Sequence, residues 1–415
     1  MRRLRENRIY IGRRPDGYRD AKGVRLTLLG ALMAVLSVVA LSVVAVGAIT
    51  VLTPSSTLRS SGNSGSHWVT PHGEGEAPFV PIAGGATTSS GGFNAVSCPT
   101  VGECVAVGGD NESGGVASTS NDLGATWNQG SMALGEPQLD AVNCASESNC
   151  VAVGQGAAVT SNDGGKTWRS HTIPTANTTL LGVDCPSSKL CVSVGVSPGN
   201  NGPFSGELMV SFDGGAAWSV PKVPASLGAL GSVACPTSKF CVAVGASILV
   251  TTDGGTNWSI RAVNGGTGVL RSVSCSSATS CVALGPNPAG IQDANASAFE
   301  VVTYDGGATW SAVTLPPGSS MLDVVSCSGA TECVAAGSGQ SGGAAPVLRS
   351  TDGGDSWAPA QPWSSTVTSV SSVSCSAQTG CVFVGRAGDV PVSGLRGGSS
   401  HPVTAWVRTQ KGASS

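Results

Sequence analysis

From residue 92 onwards, apolar positions recur in short alternating runs. Val96, Val142, Val183, Val233, Val273, Val325 and Val373 each stand two residues before a cysteine, and side chains two apart share one face of a strand. Six residues after that cysteine a second one opens CVAVG, CVAVG, CVSVG, CVAVG, CVALG, CVAAG or CVFVG. Runs this short and β-branched predict strands. The five residues between the cysteines, such as PTVGE, ASESN and PSSKL, are turn formers. Each unit therefore opens with a hairpin, strand A to strand B.

A second hydrophobic pattern stands ahead of these units. Leu26 to Leu52 is 27 residues without a charge. A helix needs about 20 residues to cross a ~30 Å hydrocarbon layer, so the stretch predicts one transmembrane signal-anchor helix at 26–52. The preceding 25 residues hold nine Lys/Arg against three acids, and such a flank keeps an N-terminus cytoplasmic. The competing reading is a secretory signal cleaved near Ala45-Val46-Gly47, although the apolar region of a signal usually runs about 7–15 residues. Both readings place residues 53–415 outside the cytoplasm. The expected organisation is a basic segment 1–25, the anchor 26–52, a Ser/Gly-rich flexible stalk 53–65, a repeat array 66–410 and a tail 411–415.

First cysteines recur every 40 to 52 residues, a period that marks a propeller or solenoid. Six units carry a second constant element: SNDLGATW, SNDGGKTW, SFDGGAAW, TTDGGTNW, TYDGGATW and STDGGDSW. Its aspartates are Asp122, Asp163, Asp213, Asp253, Asp305 and Asp352. An Asp carboxylate closes such a turn by accepting backbone N–H groups about two residues on. The Trp then starts a fourth strand and buries its ring against the neighbouring sheet. A chemical site needs one constellation and not six equivalent ones, so these aspartates read as scaffold and not as catalytic or calcium-binding groups.

This element resembles the Asp-box, or BNR, repeat of sialidase-like β-propellers, and the resemblance covers residues 92–410. Seven hairpins, six of them with the second turn, predict an all-β, seven-bladed β-propeller of four-stranded antiparallel blades, preceded by the one transmembrane helix. The seventh unit lacks the second turn. There PVTAWVRT is expected as strand C, and residues 66–73 (SHWVTPHG) as the strand that closes the last blade.

The fourteen cysteines pair by spacing as Cys98–Cys104, Cys144–Cys150, Cys185–Cys191, Cys235–Cys241, Cys275–Cys281, Cys327–Cys333 and Cys375–Cys381. Export to an oxidising compartment favours disulfides. Zinc would need about four N/S ligands per site, and the four histidines do not repeat with the cysteines. No metal or cofactor is expected.

Composition sharpens the picture. Charged residues make up 11%, hydrophobic residues 40%, and Gly 59 of 415, which fits a turn-dense globular protein and not a disordered one. Beyond residue 25 there are thirteen Lys/Arg against twenty-two acids, a balance that repels nucleic acid. Arg outnumbers Lys sixteen to six, and with abundant Ala, Gly and Val this suggests a GC-rich bacterial genome.

From second cysteine to turn aspartate the distance varies: 18, 13, 22, 12, 24 and 19 residues. Binding residues tend to sit on variable loops held by a rigid scaffold. The expected functional face therefore carries the B–C loops, with Asp110, Glu112, Glu207, Asp293, Glu300 and Asp389 as candidate acids. Sialidases, which this repeat resembles, use an arginine triad and a tyrosine nucleophile. Here no Arg-Ile-Pro motif precedes the first box, and the one tyrosine beyond the anchor, Tyr304, lies inside a box. The chain also resembles the photosystem II assembly-factor branch of such propellers, which implies scaffolding without catalysis. The preferred reading is a membrane-tethered, single-pass, non-catalytic scaffold for an envelope protein or glycan. The alternative is a glycoside hydrolase using a loop carboxylate pair.

Overall fold

The computed structural model describes residues 80–81, 92–387 and 406–407, apart from 111–113, 125, 133–134, 176, 200–201, 225–226, 264–267, 288–295, 341–342, 361–366 and 377–379. All of them belong to one compact unit, Pro71–Ser415. The expected anchor 26–52 and closing segment 66–73 lie outside the described residues. Among the described residues no helix is long and apolar enough to cross a membrane.

These residues form seven antiparallel sheets. The second sheet shows the plan: Leu139–Cys144, Cys150–Gly154, Ala158–Ser161 and Arg169–His171 pair in sequence order. Five other sheets also have four strands, and the third has three. In that third sheet the outermost place is held by a single bridge, Val210 to Ser219. Pro221 and Pro224 follow, and proline cannot donate to a ladder. The seventh sheet runs Val367–Ser376, Gly380–Ala387, Trp406–Val407 and Val80–Pro81. Strand C thus falls where PVTAWVRT predicts it. The outermost place assigned to residues 66–73 is taken instead by Val80–Pro81, paired with Val407 and Trp406. Proline at an edge costs no ladder hydrogen bond, which suits Pro81 to that position.

All seven cysteine pairs are disulfides, and no cysteine is free. Each clamps strand A to strand B. In the second, fifth, sixth and seventh sheets the two cysteines are direct cross-strand partners.

The Ser-Asp-Gly turn works differently from the two-residue closure expected from sequence. In the second sheet Ser161 Oγ donates to Asp163 Oδ1 at 2.8 Å and accepts from Gly165 N–H at 2.8 Å. Asp163 Oδ1 then accepts the Thr167 N–H, four residues on, at 2.9 Å. Gly165 sits at φ +86°, the left-handed region a Cβ disfavours. Trp168 Nε1 donates to the Gly165 carbonyl at 2.9 Å. The same turn bonds back to the cysteine hairpin of its own sheet, through Gly164 N–H to Ser148 O at 3.0 Å. Both turn types therefore lie at one end of the sheets, and the B–C and D–A connections at the other.

The core is divided into seven apolar clusters, each at the junction of two consecutive sheets. Between the third and fourth sheets, for example, Val192, Leu208 and Val210 meet Leu230, Leu249 and Trp258. The last cluster joins Val382 and Val384 of the seventh sheet to Val96, Ala106 and Trp127 of the first. The sheets therefore close on themselves. Among the described residues every sheet packs its core faces on its two neighbours, which is the physical reason a tandem array of such units is stable.

A ring of polar latches reinforces the junctions. In six of the seven sheets the residue before the first cysteine accepts the backbone N–H of the next sheet's first cysteine. Ser97 Oγ accepts Cys144 N–H at 3.0 Å, Asn143 Oδ1 accepts Cys185 at 3.1 Å, and Asp184 Oδ2 accepts Cys235 at 2.6 Å. Ser274, Ser326 and Ser374 do the same for Cys327, Cys375 and, across the closure, Cys98. Ala234, in the fourth sheet, has no acceptor to offer. Asp184 is half-buried, and burial raises its carboxyl to about 6 despite the N–H groups of Cys235 and Cys185.

Candidate functional site, a ring of bulges around the central cavity

In six of the seven sheets strand A carries, four residues before its first cysteine, one residue more than its partner. The register slips between Phe93 and Ala95, Leu139 and Ala141, Leu180 and Gly182, Leu230 and Ser232, Leu322 and Val324, and Val370 and Ser372. The bulged residues are Asn94, Asp140, Leu181, Gly231, Asp323 and Ser371. In the fifth sheet Arg271 holds the same place, with its backbone N–H donating to Leu284 O at 2.8 Å.

The bulge explains the glycine that stands four residues after the second cysteine in strand B. A Cβ on Gly245 would lie 2.0 Å from the Ala229 carbonyl oxygen and 2.7 Å from the Leu230 Cα. Gly154, Gly195, Gly285, Gly337 and Gly385 are pressed just as closely. The residue before the bulge stays in the core, as Leu139, Leu180, Leu230 and Leu322 show by complete burial. A bulge lets the backbone keep that leucine inward and re-aim the next side chain.

All seven re-aimed residues line one cavity of about 680 Å³ at the centre of the ring. Their backbone geometry is the same and their chemistry is not: Asn, Asp, Leu, Gly, Arg, Asp and Ser. Asp140 Oδ1 accepts from Gln138 Nε2 at 2.7 Å and from Asn94 Nδ2 at 3.3 Å. Burial raises its carboxyl above the ordinary value, only partly offset by Gln138. Asp323 is raised for the same reason, with Arg271 opposing. That pair is loose: Arg271 Nη1 stands 3.5 Å from Asp323 Oδ1, and the arginine side chain is 63% exposed. Two apolar side chains, Leu181 and Val269, line the cavity at 38% and 53% exposure.

Of the six acids expected on the B–C face, three are described, and Asp110, Glu207 and Glu300 stand in three different sheets. Glu112, Asp293 and Asp389 lie outside the described residues. Asp110 ends a strand opposite Gly114. Glu207 belongs to a strand and not a loop, because Cys191–Gly199 and Gly202–Ser211 extend as one long hairpin through the segment read as connection. There it accepts from Ser197 Oγ at 2.6 Å.

Glu300 is a core residue and not a loop acid. It lies inside the strand Phe299–Thr303, 1% exposed, at a position filled by Ala158, Ile248 or Val347 in other sheets. Trp357 Nε1 of the next sheet donates to its Oε1 at 2.8 Å, and Oε2 has no partner. Burial, with Asp352 and Asp355 nearby, pushes its pKa to about 8 against the indole bond. Glu300 is therefore a protonated core residue at neutral pH, and it presents no carboxylate to a ligand. Tyr304, half exposed, donates its hydroxyl to Asp355 Oδ1 at 2.7 Å. Burial and that bond raise the phenol above its ordinary value.

The turn aspartates are exposed, Asp163 only partly, and are held by hydrogen bonds; those of Asp305 to Thr309 and Thr303 lower its carboxyl to about 2. Among the described residues no group of three or more His, Cys, Asp or Glu is placed to hold a metal. The bulge ring itself escaped the sequence reading. Its signal was present as the most variable position of strand A, four residues before the cysteine and two before the constant valine.

The chain matches no protein-family model and no curated protein. Its fold does have solved relatives in shape. YCF48 bound to D1 peptide superposes with a TM-score of 0.54 at 15% identity, covering 80% of this chain and 96% of that one. The WD40 beta propeller domain of Doa1 gives 0.53 at 11% identity, covering 79% and 94%. The GH74 xyloglucanase from Xanthomonas campestris gives 0.50 at 14% identity, covering 79% of this chain and 55% of that one. At such identities the likeness is one of fold, and the described residues form a β-propeller.

Proposed function

We propose that this chain is a seven-bladed propeller of Asp-box repeats, tethered outside the membrane by residues 26–52, that binds an envelope protein or glycan without catalysis. The observation that carries the reading is a contrast within each sheet. Disulfides, latches, turns and the close-packed glycines of strand B repeat, while the seven residues four before the first cysteine line one cavity and vary from Asn, Asp and Arg to Leu, Ser and Gly. A scaffold that repeats its framework and varies its lining is built for recognition. Propellers of the same shape include one solved with a bound peptide, which supports a binding role.

The test is site-specific photo-cross-linking in the host cell. A photoreactive residue at Leu181 or Val269, which line the cavity, is expected to capture a discrete partner. One at Val101, exposed on a cysteine hairpin at the opposite end, is expected to capture none. Adducts from Val101 alone would sink the reading. A second reading, a glycoside hydrolase, is favoured by one observation: Asp140 and Asp323 share the cavity and both have raised pKa values. Release of reducing sugar from a cell-wall polysaccharide, lost in Asp323→Asn, would establish it in place of the scaffold.

A further inference from the structure

The chemistry of the bulge ring says more than that something binds there. We propose that the central cavity receives an organic cation, an ammonium or guanidinium group on an aliphatic stem, with Asp140 as its principal partner and Asp323 as its second. This rests on the reading that recognition takes place at the ring.

Four observations converge. The charged bulge residues are two carboxyls and one guanidinium, so the cavity favours a positive guest and disfavours an anion. Asp140 is held only by neutral amides, and both Gln138 and Asn94 donate to the same oxygen, Oδ1. That arrangement orients the carboxyl without neutralising it. Arg271 lies too loosely against Asp323 to satisfy it, and its exposed side chain can swing aside as a guest enters. Leu181 and Val269 offer exposed apolar surface beside the charged groups, suited to methylenes. Among the described residues the lining includes no Phe, Tyr or Trp, and these offer no flat platform on which a sugar ring would stack. The ring therefore favours an amine over a glycan.

A charged guest would also relieve what the cavity currently imposes on its acids. A buried carboxylate with no counter-charge is costly, and an ammonium within hydrogen-bond reach offsets that cost. Arg271 thereby acts in the opposite sense to a ligand clamp. It is a weak internal competitor that occupies Asp323 when the guest is absent.

The experiment is calorimetric titration of the full chain, purified in detergent, with pentylammonium, 1-pentanol and pentanoate as matched cationic, neutral and anionic probes. Pentylammonium is expected to bind, and the alcohol and the anion are not. Asp140→Asn should weaken pentylammonium at least about tenfold. Arg271→Ala should strengthen it, because Asp323 is freed, and a variant that had simply lost its fold would not gain affinity. Two further probes separate the sources of the cation: N-acetyl-lysine amide and a glycine heptapeptide with one central lysine. Tighter binding of the peptide assigns the cation to a polypeptide side chain. Tighter binding of the small amine assigns it to a free metabolite. Either outcome supports the proposal. Equal binding of pentylammonium and 1-pentanol, no binding of any amine, or indifference to both substitutions would overturn it. If the amines fail while cross-linking at Leu181 persists, the ligand class is wrong and the scaffold reading stands.

Discussion

Replacing Glu300 by Gln should change how the stability of this protein depends on pH, and the size of the change follows from its surroundings. In the fold the carboxyl titrates near 8, against 4.5 for an ordinary glutamate. Between those values the folded chain holds a proton that the unfolded chain has released, so stability falls as pH rises from 4.5 to 8 and levels off above. At about 1.4 kcal/mol per unit, the loss amounts to roughly 3 kcal/mol at pH 7 and roughly 5 kcal/mol above pH 8. Gln keeps an oxygen for the Trp357 indole to donate to and removes the titration. It leaves a buried group unpartnered, as Oε2 is now, so the pH-independent part of the difference should be small. The assay is urea unfolding followed by tryptophan fluorescence at pH 4.5, 6, 7 and 8, with the disulfides kept oxidised. The variant is expected to match the parent at pH 4.5 and exceed it increasingly towards pH 8. Other acids with raised pKa values, Asp140, Asp184 and Asp323, impose the same trend on both proteins and cancel in the difference. Parallel curves for the two would refute the buried, protonated state of Glu300.

Two further predictions concern the framework. Ala234→Ser supplies the acceptor missing from the latch ring, facing the Cys275 N–H as Ser274 faces Cys327. It should add about 1 kcal/mol, and a melting temperature that stays put or falls would count against the latches. Gly245→Ala drives a Cβ into the Ala229 carbonyl and should cost roughly 1–3 kcal/mol or more. Gly329→Ala, with nothing within 4 Å, should stay within about 0.5 kcal/mol, and equal melting temperatures for the two would remove the steric account of the bulge.

Much of this protein was readable along the chain because its rules are local. A cysteine pair six residues apart sets one hairpin, and Ser161, Asp163, Gly165 and Thr167 complete their turn within seven residues. Periodicity then multiplies one such unit. Three things depended on residues far apart in sequence meeting in space. Val80–Pro81 takes the edge of the last sheet because it pairs with a strand more than 300 residues later. Glu300 reads as a loop acid beside Asp293, yet the indole of Trp357, 57 residues on, meets it in the core. The cavity needs one residue from each of seven sheets. Alternation along strand A puts position −4 on the same face as the buried valine, and only the bulge, a consequence of pairing across to strand B, turns it inward to the channel. Local spacing therefore decided what the units are. Their closure into a ring decided which side chains share a space.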